Sequence, residues 1–221
     1  MQPAALADKV KLCARNNWKI KDVSEMSSLR ILDARGSCGI DDLGIKGLKL
    51  VGIPLRGCQP AALRISFSTR LRPSRKDKVK LNANYNGKIS NISGMNNLKI
   101  LDACGSCGID DLGIEGLKLI KLNACFNSKI TDVSAMNSLR ELDAFGNCGI
   151  SDLGIRGLKL IKLNSSHNRK IEDISGMTSL RELDARGSSG INYLSIKGLK
   201  LKKITTYGNS KIKPPIDAYY Y

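Results

Sequence analysis

The chain has 221 residues, 42% of them hydrophobic but only 5% aromatic, and its 36 basic and 20 acidic side chains leave a net charge of +16. That is enough apolar material for a continuous core, which must be aliphatic; no run of about 18 uncharged apolar residues exists, which excludes a membrane-spanning helix. The charge favours anionic partners and says nothing of the fold.

The opening residues, MQPAALADKV, have neither a basic segment nor a long apolar one, so no signal peptide is expected. Seven cysteines is an odd number, with four at regular positions. Buried free thiols of this kind fit a reducing, intracellular setting, the cytoplasm or a host cell's cytoplasm.

From Leu12 onward the chain repeats. One leucine-type marker per repeat falls at Leu12, Leu32, Ile53, Leu81, Leu101, Leu122, Leu142, Leu163, Leu183 and Ile204, with steps alternating between 20 and 21 residues except for one of 28. Two past the marker stands alanine (Ala34, Ala103, Ala144), and eight past it isoleucine (Ile40, Ile109, Ile150). Five past it stands asparagine (Asn86, Asn127, Asn147, Asn168, Asn209) or serine (Ser37, Ser106, Ser188). A short strand around the marker alternates inward and outward, which buries marker and alanine and exposes the residues between. Each column predicts a ladder of like side chains, and the asparagine amide can satisfy backbone groups where the chain leaves the strand. Twenty residues cannot hold a long helix as well as a strand, so the return segment is a turn or a short 3₁₀ piece. Coils of this kind touch only their neighbours and are stable only when stacked.

The exception is Ile53 to Lys80, where the signature is lost after Ile53. Gln59–Leu63 (QPAAL) repeats Gln2–Leu6, and Asp77–Leu81 (DKVKL) repeats Asp8–Leu12. The second pair is offset by 69 residues, which reads as a 69-residue duplication joining two copies, with the first pair as leader sequence retained at the junction. Residues 54–78 carry seven basic side chains and one acid, so this stretch reads either as a scar or as a basic loop, with Arg64, Arg70, Arg72, Arg75 and Lys76 as its polyanion contacts. At the end, residues 213–221 form a short tail in which Pro214 and Pro215 stop the last coil. Tyr219, Tyr220 and Tyr221 are placed to cover its open edge.

Little here points to chemistry. Cys104 and Cys107 form a CxxC pair, but Cys107 shares a column with Cys38 and Cys148 and reads as core filler. Cys104 and Cys125 share the concave-facing position of adjacent coils, a weak case for a redox pair or soft-metal site. His167 is the single histidine and lacks an obvious nucleophile or orienting group. Met26, Met95, Met136 and Met177 share one core column. No catalytic site, metal or cofactor is expected.

The charged residues are more informative. Lys121, Glu141, Lys162, Glu182 and Lys203 precede the markers, while Asp102, Asn123, Asp143, Asn164 and Asp184 follow them. Opposite charges on neighbouring strands stabilise by roughly 0.2–1 kcal/mol a pair, so the outward sheet face largely neutralises itself. The files serve either as register-setting ladders or as a recognition surface, for which Lys121, Glu141, Asp143, Phe145, Lys162, Glu182, Asp184, Arg186 and Tyr207 are the candidates. On the flanks, Lys19, Lys88, Lys129, Lys170 and Lys211 form one column, and Arg30, Lys99, Arg140 and Arg181 alternate with Lys49, Lys118, Lys159 and Lys200 in leading into the strands. These ridges are either solvated or track a polyanion.

The pattern Leu-x-x-Leu-x-Ala-x-x-Asn-x-x-Ile, as in Leu139 to Ile150, resembles the leucine-rich repeat, and Ile130–Ser134 and Ile171–Ser175 resemble its internalin-like short-repeat subclass. In style the repeats also resemble those of large-DNA-virus repeat proteins. Alanine in place of the second consensus leucine, and Gly-Ser in place of Gly-Asn, depart from the pattern. The resemblance implies a single α/β-type solenoid over residues 1–221, dominated by a parallel β-sheet, with about ten coils of 20–21 residues and residues 54–78 inserted. It implies a non-enzymatic protein–protein interaction module with a charged concave sheet. The rival readings are a basic solenoid binding nucleic acid or another polyanion, and a structural component that self-stacks through thinly capped ends.

Overall fold

The computed structural model describes residues 11–48 and 79–213. Nine parallel strands of three residues form one sheet in strict chain order. They are β1 (Lys11–Cys13), β2 (Ile31–Asp33), β3 (Lys80–Asn82), β4 (Ile100–Asp102), β5 (Lys121–Asn123), β6 (Glu141–Asp143), β7 (Lys162–Asn164), β8 (Glu182–Asp184) and β9 (Lys203–Thr205). Marker faces marker throughout, from Leu12 against Leu32 to Leu183 against Ile204. The chain is therefore a β-solenoid of roughly 20-residue coils, numbered here by their strands.

The core is one aliphatic column set. The markers Leu32, Leu81, Leu101 and Leu122 are fully buried, as are the alanines two residues on and the isoleucines eight residues on. Met26, Met95, Met136 and Met177 are buried beside them. Helix is scarce: the even coils return through 3₁₀ turns at Leu112–Ile114 and Leu153–Ile155 and through one four-residue helix, α1 (Tyr193–Ile196). The odd coils return through tight turns such as the one closed by Met136 N–H on Val133 O and Leu139 N–H on Met136 O.

The asparagine column divides in two. Asn86, Asn127, Asn168 and Asn209 are buried, and each donates from Nδ2 to two carbonyls of the preceding coil; Asn127 reaches Ala103 O at 2.9 Å and Ile109 O at 3.0 Å. In coils 2, 4, 6 and 8 the same offset (Ser37, Ser106, Asn147, Ser188) is exposed. There the buried place passes to the next residue, Cys38, Cys107, Cys148 or Ser189. So the continuous asparagine ladder expected from the sequence is a two-coil alternation of amide and small side chain. A second set of bonds rivets even coils to the odd coils that follow: Asp111 accepts from Thr131 N–H at 2.7 Å, Thr131 Oγ1–H at 2.6 Å and Asp132 N–H at 3.2 Å. Asp42 and Asp152, two coils away on either side, accept the equivalent pair of backbone N–H bonds.

One expected coil is absent from the stack. Strand β2 pairs directly with β3, Ile31 against Lys80 and Leu32 against Leu81, so no strand stands between them. The marker expected at Ile53 lies outside the described residues, as do Lys49, the basic residues Arg64, Arg70, Arg72, Arg75 and Lys76, and residues 214–221 of the tail.

Candidate interaction surface

The outward face of the sheet is built from the residues flanking each buried marker. One file holds Lys80, Lys121, Glu141, Lys162, Glu182 and Lys203, and the next holds Asp102, Asn123, Asp143, Asn164, Asp184 and Thr205. Together they line a shallow trough of about 430 Å³ along the sheet. Its charges are paired between coils: Lys121 Nζ lies 3.1 Å from Glu141, Lys162 Nζ 2.9 Å from Glu182, and Lys80 Nζ 2.6 Å from Asp102. Lys80, Lys121 and Lys162 each pair with the acid of the following coil, which follows from the alternation of the columns; Lys203 of β9 forms no ion pair among the described residues.

The acids of the second file are not equivalent. Burial pushes the Asp143 carboxyl above its ordinary pKa, opposed by Phe145 N–H, the Asn164 amide and Lys121. Burial acts on Asp184 as well, but the Arg186 guanidinium and the Ser166 hydroxyl outweigh it, and its pKa falls. Arg186 holds Asp184 through two bonds, from Nε at 2.8 Å and from Nη2 at 2.7 Å. Asp33 and Arg35 repeat this fork in coil 2, with Nε at 2.8 Å and Nη2 at 2.6 Å, and Arg35 lowers the Asp33 pKa.

Just past the strand ends lies a feature that the columns hide. Four residues past each of the nine described markers the backbone is left-handed: Asn16, Tyr85, Phe126 and His167 in odd coils, Gly36, Gly105, Gly146 and Gly187 in even ones, and Gly208 in coil 9. Such a conformation costs a non-glycine residue roughly 1–2 kcal/mol. The alternation has a steric cause. A Cβ on Gly105 would collide with the Tyr85 ring, one on Gly146 with the Phe126 ring and one on Gly187 with the His167 ring. Each odd-coil side chain thus lies over the next coil's glycine. Phe145 then packs edge-on between Phe126 and His167, with ring centroids at 5.1 Å and 5.5 Å. Rings remain open to solvent along this rim: Tyr85 is 58% exposed, Phe126 50% and Tyr207 88%.

All nine candidate recognition residues fall on this face or its rim. Lys121, Glu141, Lys162 and Glu182 form the two ion pairs; Asp143 is half-buried; Asp184 is bound by Arg186; Phe145 joins the ring cluster; Tyr207 stands free of it. Sequence reading missed Tyr85 and Phe126 as members of the rim. The alternation of bulky residue and glycine at that offset was the available signal.

Cys104, expected to face outward, is buried. Its thiol adjoins the Tyr85 phenol, whose pKa it raises, and that of Cys125, whose pKa rises through burial first and Cys104 second. Burial pushes the Cys107 and Cys148 thiols up to about 11, so they are poor nucleophiles. Among the described residues all cysteines are free, and no group of three or more metal-ligating side chains is assembled. His167 Nδ1 lies 3.5 Å from Ser188 Oγ, with no acid orienting the ring.

A second feature went unforeseen on the opposite side. Leu43, Leu112, Leu153 and Leu194 are exposed at equivalent places on the return segments of coils 2, 4, 6 and 8. Beside the first three, grooves include Met95, Met136 and Met177 in their walls.

These features define the molecule as a repeat protein of the parallel β-solenoid class with an open, charged sheet face. Among the described residues no helix is long and apolar enough to cross a membrane. No family model matches the chain, and no curated protein matches it.

Proposed function

We propose that the chain is a non-enzymatic protein-binding module of the leucine-rich-repeat type, and that it engages its partner through the sheet face and the aromatic rim. The reading is carried by one observation. Three bulky side chains, Tyr85, Phe126 and His167, are held in left-handed backbone on a rim where Tyr85 and Phe126 are half-exposed. Side chains kept in a costly conformation at a surface mark places where geometry serves a purpose beyond stability. Aromatic and arginine side chains dominate interface energetics; Phe145 and Tyr207 lie on the rim, and Arg186 is already ion-paired with Asp184, as Lys121 is with Glu141 and Lys162 with Glu182. Formed pairs cost little further ordering on binding.

The test compares affinity captures, read by quantitative mass spectrometry, for the wild-type chain, a rim variant (Phe145→Ala with Tyr207→Ala), a sheet-face variant (Glu141→Lys with Glu182→Lys) and a back-face variant (Leu112→Ser with Leu153→Ser). A partner lost from the rim and sheet variants but retained by the back-face variant supports the assignment. The same partner captured equally by all four chains sinks it.

A further inference from the structure

The edge where the chain enters the strands carries a continuous line of cations that neither the sheet face nor the core uses. In coils 4 to 9 the four residues from five to two before each marker include Lys99, Lys118, Arg140, Lys159, Arg181, Lys200 and Lys202, and not one carboxylate. Coils stack at about 4.8 Å and the positions shift by two residues between coils, so the backbone sites of successive cations are about one Debye length, roughly 8 Å, apart and the like charges repel one another. On the sheet face Lys80, Lys121 and Lys162 are neutralised by cross-strand acids; among the described residues these seven form no ion pair.

The two arginines are held in place. Arg140 Nη1 donates to Asn137 O and Leu139 O, both at 2.8 Å. Arg181 Nη1 donates to Thr178 O and Leu180 O, again at 2.8 Å. Their Nε and Nη2 groups have no acceptor among the described residues, so each guanidinium is fixed through one nitrogen and presents the others outward. Between them lies a depression of about 350 Å³ lined by Arg140, Lys159, Ile161, Ser179 and Arg181. It joins three cations to the Ser179 hydroxyl, which also has no partner among the described residues. Two pinned forks and an ammonium around a hydroxyl suit a tetrahedral anion. Equivalent positions on either side (Lys99 with Lys118 and Arg140; Arg181 with Lys200 and Lys202) extend the same chemistry along the edge.

We infer that this edge is a binding track for a phosphodiester backbone, and that the partner is a nucleic acid held without reading its bases. A line of single cations along a ridge matches a chain of charges better than a flat surface of them. No aromatic side chain lies on this edge in coils 4 to 9, so bases have no stacking platform there, and affinity comes from phosphate contacts alone. The rim proposed to bind protein lies at the opposite ends of the strands, and the two surfaces do not overlap.

The experiment is fluorescence anisotropy of a labelled 20-nucleotide oligothymidylate with the full chain across 50–300 mM KCl. Wild-type protein is expected to bind at 50 mM and to weaken steeply with salt. Arg140→Ala with Lys159→Ala and Arg181→Ala should weaken binding at least tenfold at 50 mM and, for three contacts on a single strand, make the log–log salt slope shallower by about 2. Lys159→Glu alone, at an exposed lysine with no packing role, should weaken binding in the same direction and serves if the triple variant fails to fold. Absence of binding at 50 mM overturns the inference, as does equal affinity in both edge variants. Poly-glutamate competing as well as the oligonucleotide overturns the phosphodiester assignment, and so does heparin binding without oligonucleotide binding. Phe145→Ala with Tyr207→Ala should leave this binding unchanged; its loss in that variant would move the site to the rim and overturn the edge.

Discussion

Asn127 and Asn147 stand at the same offset in adjacent coils, and replacing each by alanine should have very unequal consequences. Asn127 is buried and donates to Ala103 O and Ile109 O, whose residues are themselves fully buried, while its Oδ1 accepts from Lys129 N–H at 2.9 Å. Alanine leaves two buried carbonyls without a donor, at about 1–3 kcal/mol each, or about 2–6 kcal/mol together. Domain stabilities are about 5–15 kcal/mol, so this is a large share. Asn147 is exposed and makes no comparable bond; alanine there should change stability by no more than about 0.5 kcal/mol. Urea unfolding followed by far-UV circular dichroism measures both, with the midpoints compared at a common slope because stacked coils can melt in stages. Equal losses in the two variants, or a larger loss at Asn147, would refute the two-coil alternation and with it the account of how the coils are bonded.

The remaining predictions follow from the same alternation. Gly146→Ala places a Cβ in the Phe126 ring and a left-handed backbone on a residue that resists it; it should cost about 1–2 kcal/mol for the backbone alone, and more with the ring in place. Phe126→Ala in the same chain should recover the steric part, so a double-mutant cycle shows coupling. Ser165 and Ser189, both buried and 3.3 Å apart, replace the Ala–Cys pairing of the other coil pairs. Ser165→Ala should destabilise by about 1 kcal/mol through the hydroxyl it orphans, and adding Ser189→Cys should restore much of the loss. The Asp184 pKa is lowered in the fold, so its charged form contributes stability above the unfolded carboxylate value, and this is lost as pH falls through the folded one. The Asp143 pKa is raised, so ionisation there opposes folding once pH rises through the unfolded value. Asp184→Asn should therefore lower the urea midpoint at pH 7 and lower it by less at pH 3, whereas Asp143→Asn should raise the midpoint at pH 7 and raise it by less at pH 3.

The parallel stack was legible because the marker column is insensitive to parity: a leucine between two outward residues means the same in every coil. The asparagine column was misleading for the opposite reason. Asn147 and Asn127 share a letter and an offset, yet a left-handed glycine precedes one and a left-handed phenylalanine the other, and the buried place moves by one residue. Cysteine at Cys38, Cys107 and Cys148 was correctly read as filler, but the polar side chain it alternates with was not. The outward files could be listed from sequence; which acid titrates up and which down could not. That depends on whether an arginine lies two residues on, as Arg186 does for Asp184, or a phenylalanine, as Phe145 does for Asp143.

The coil 2–3 junction shows how far the stacking is independent of the covalent connection. Leu32 and Leu81 are separated by 49 residues, against 20 or 21 at the other junctions, yet they pair in the same register. Asn86 Nδ2 still reaches back to Ala34 O at 2.9 Å and Ile40 O at 3.1 Å, as Asn127 and Asn168 do in the uninterrupted junctions. Asp42 still accepts from Ser90 and Asn91 as Asp111 does from Thr131 and Asp132. The bonds that define the solenoid therefore run between coils and ask only that the odd coil follow an even one. Any even-to-odd junction meets that condition, so a basic segment can be inserted there without changing the sheet face, the rim or the edge. The same parity explains why like side-chain arrangements recur every second coil on all three surfaces. The rings of Tyr85, Phe126 and His167, the ion pairs of Lys121 and Lys162, and the pinned forks of Arg140 and Arg181 are one two-coil period seen from different sides.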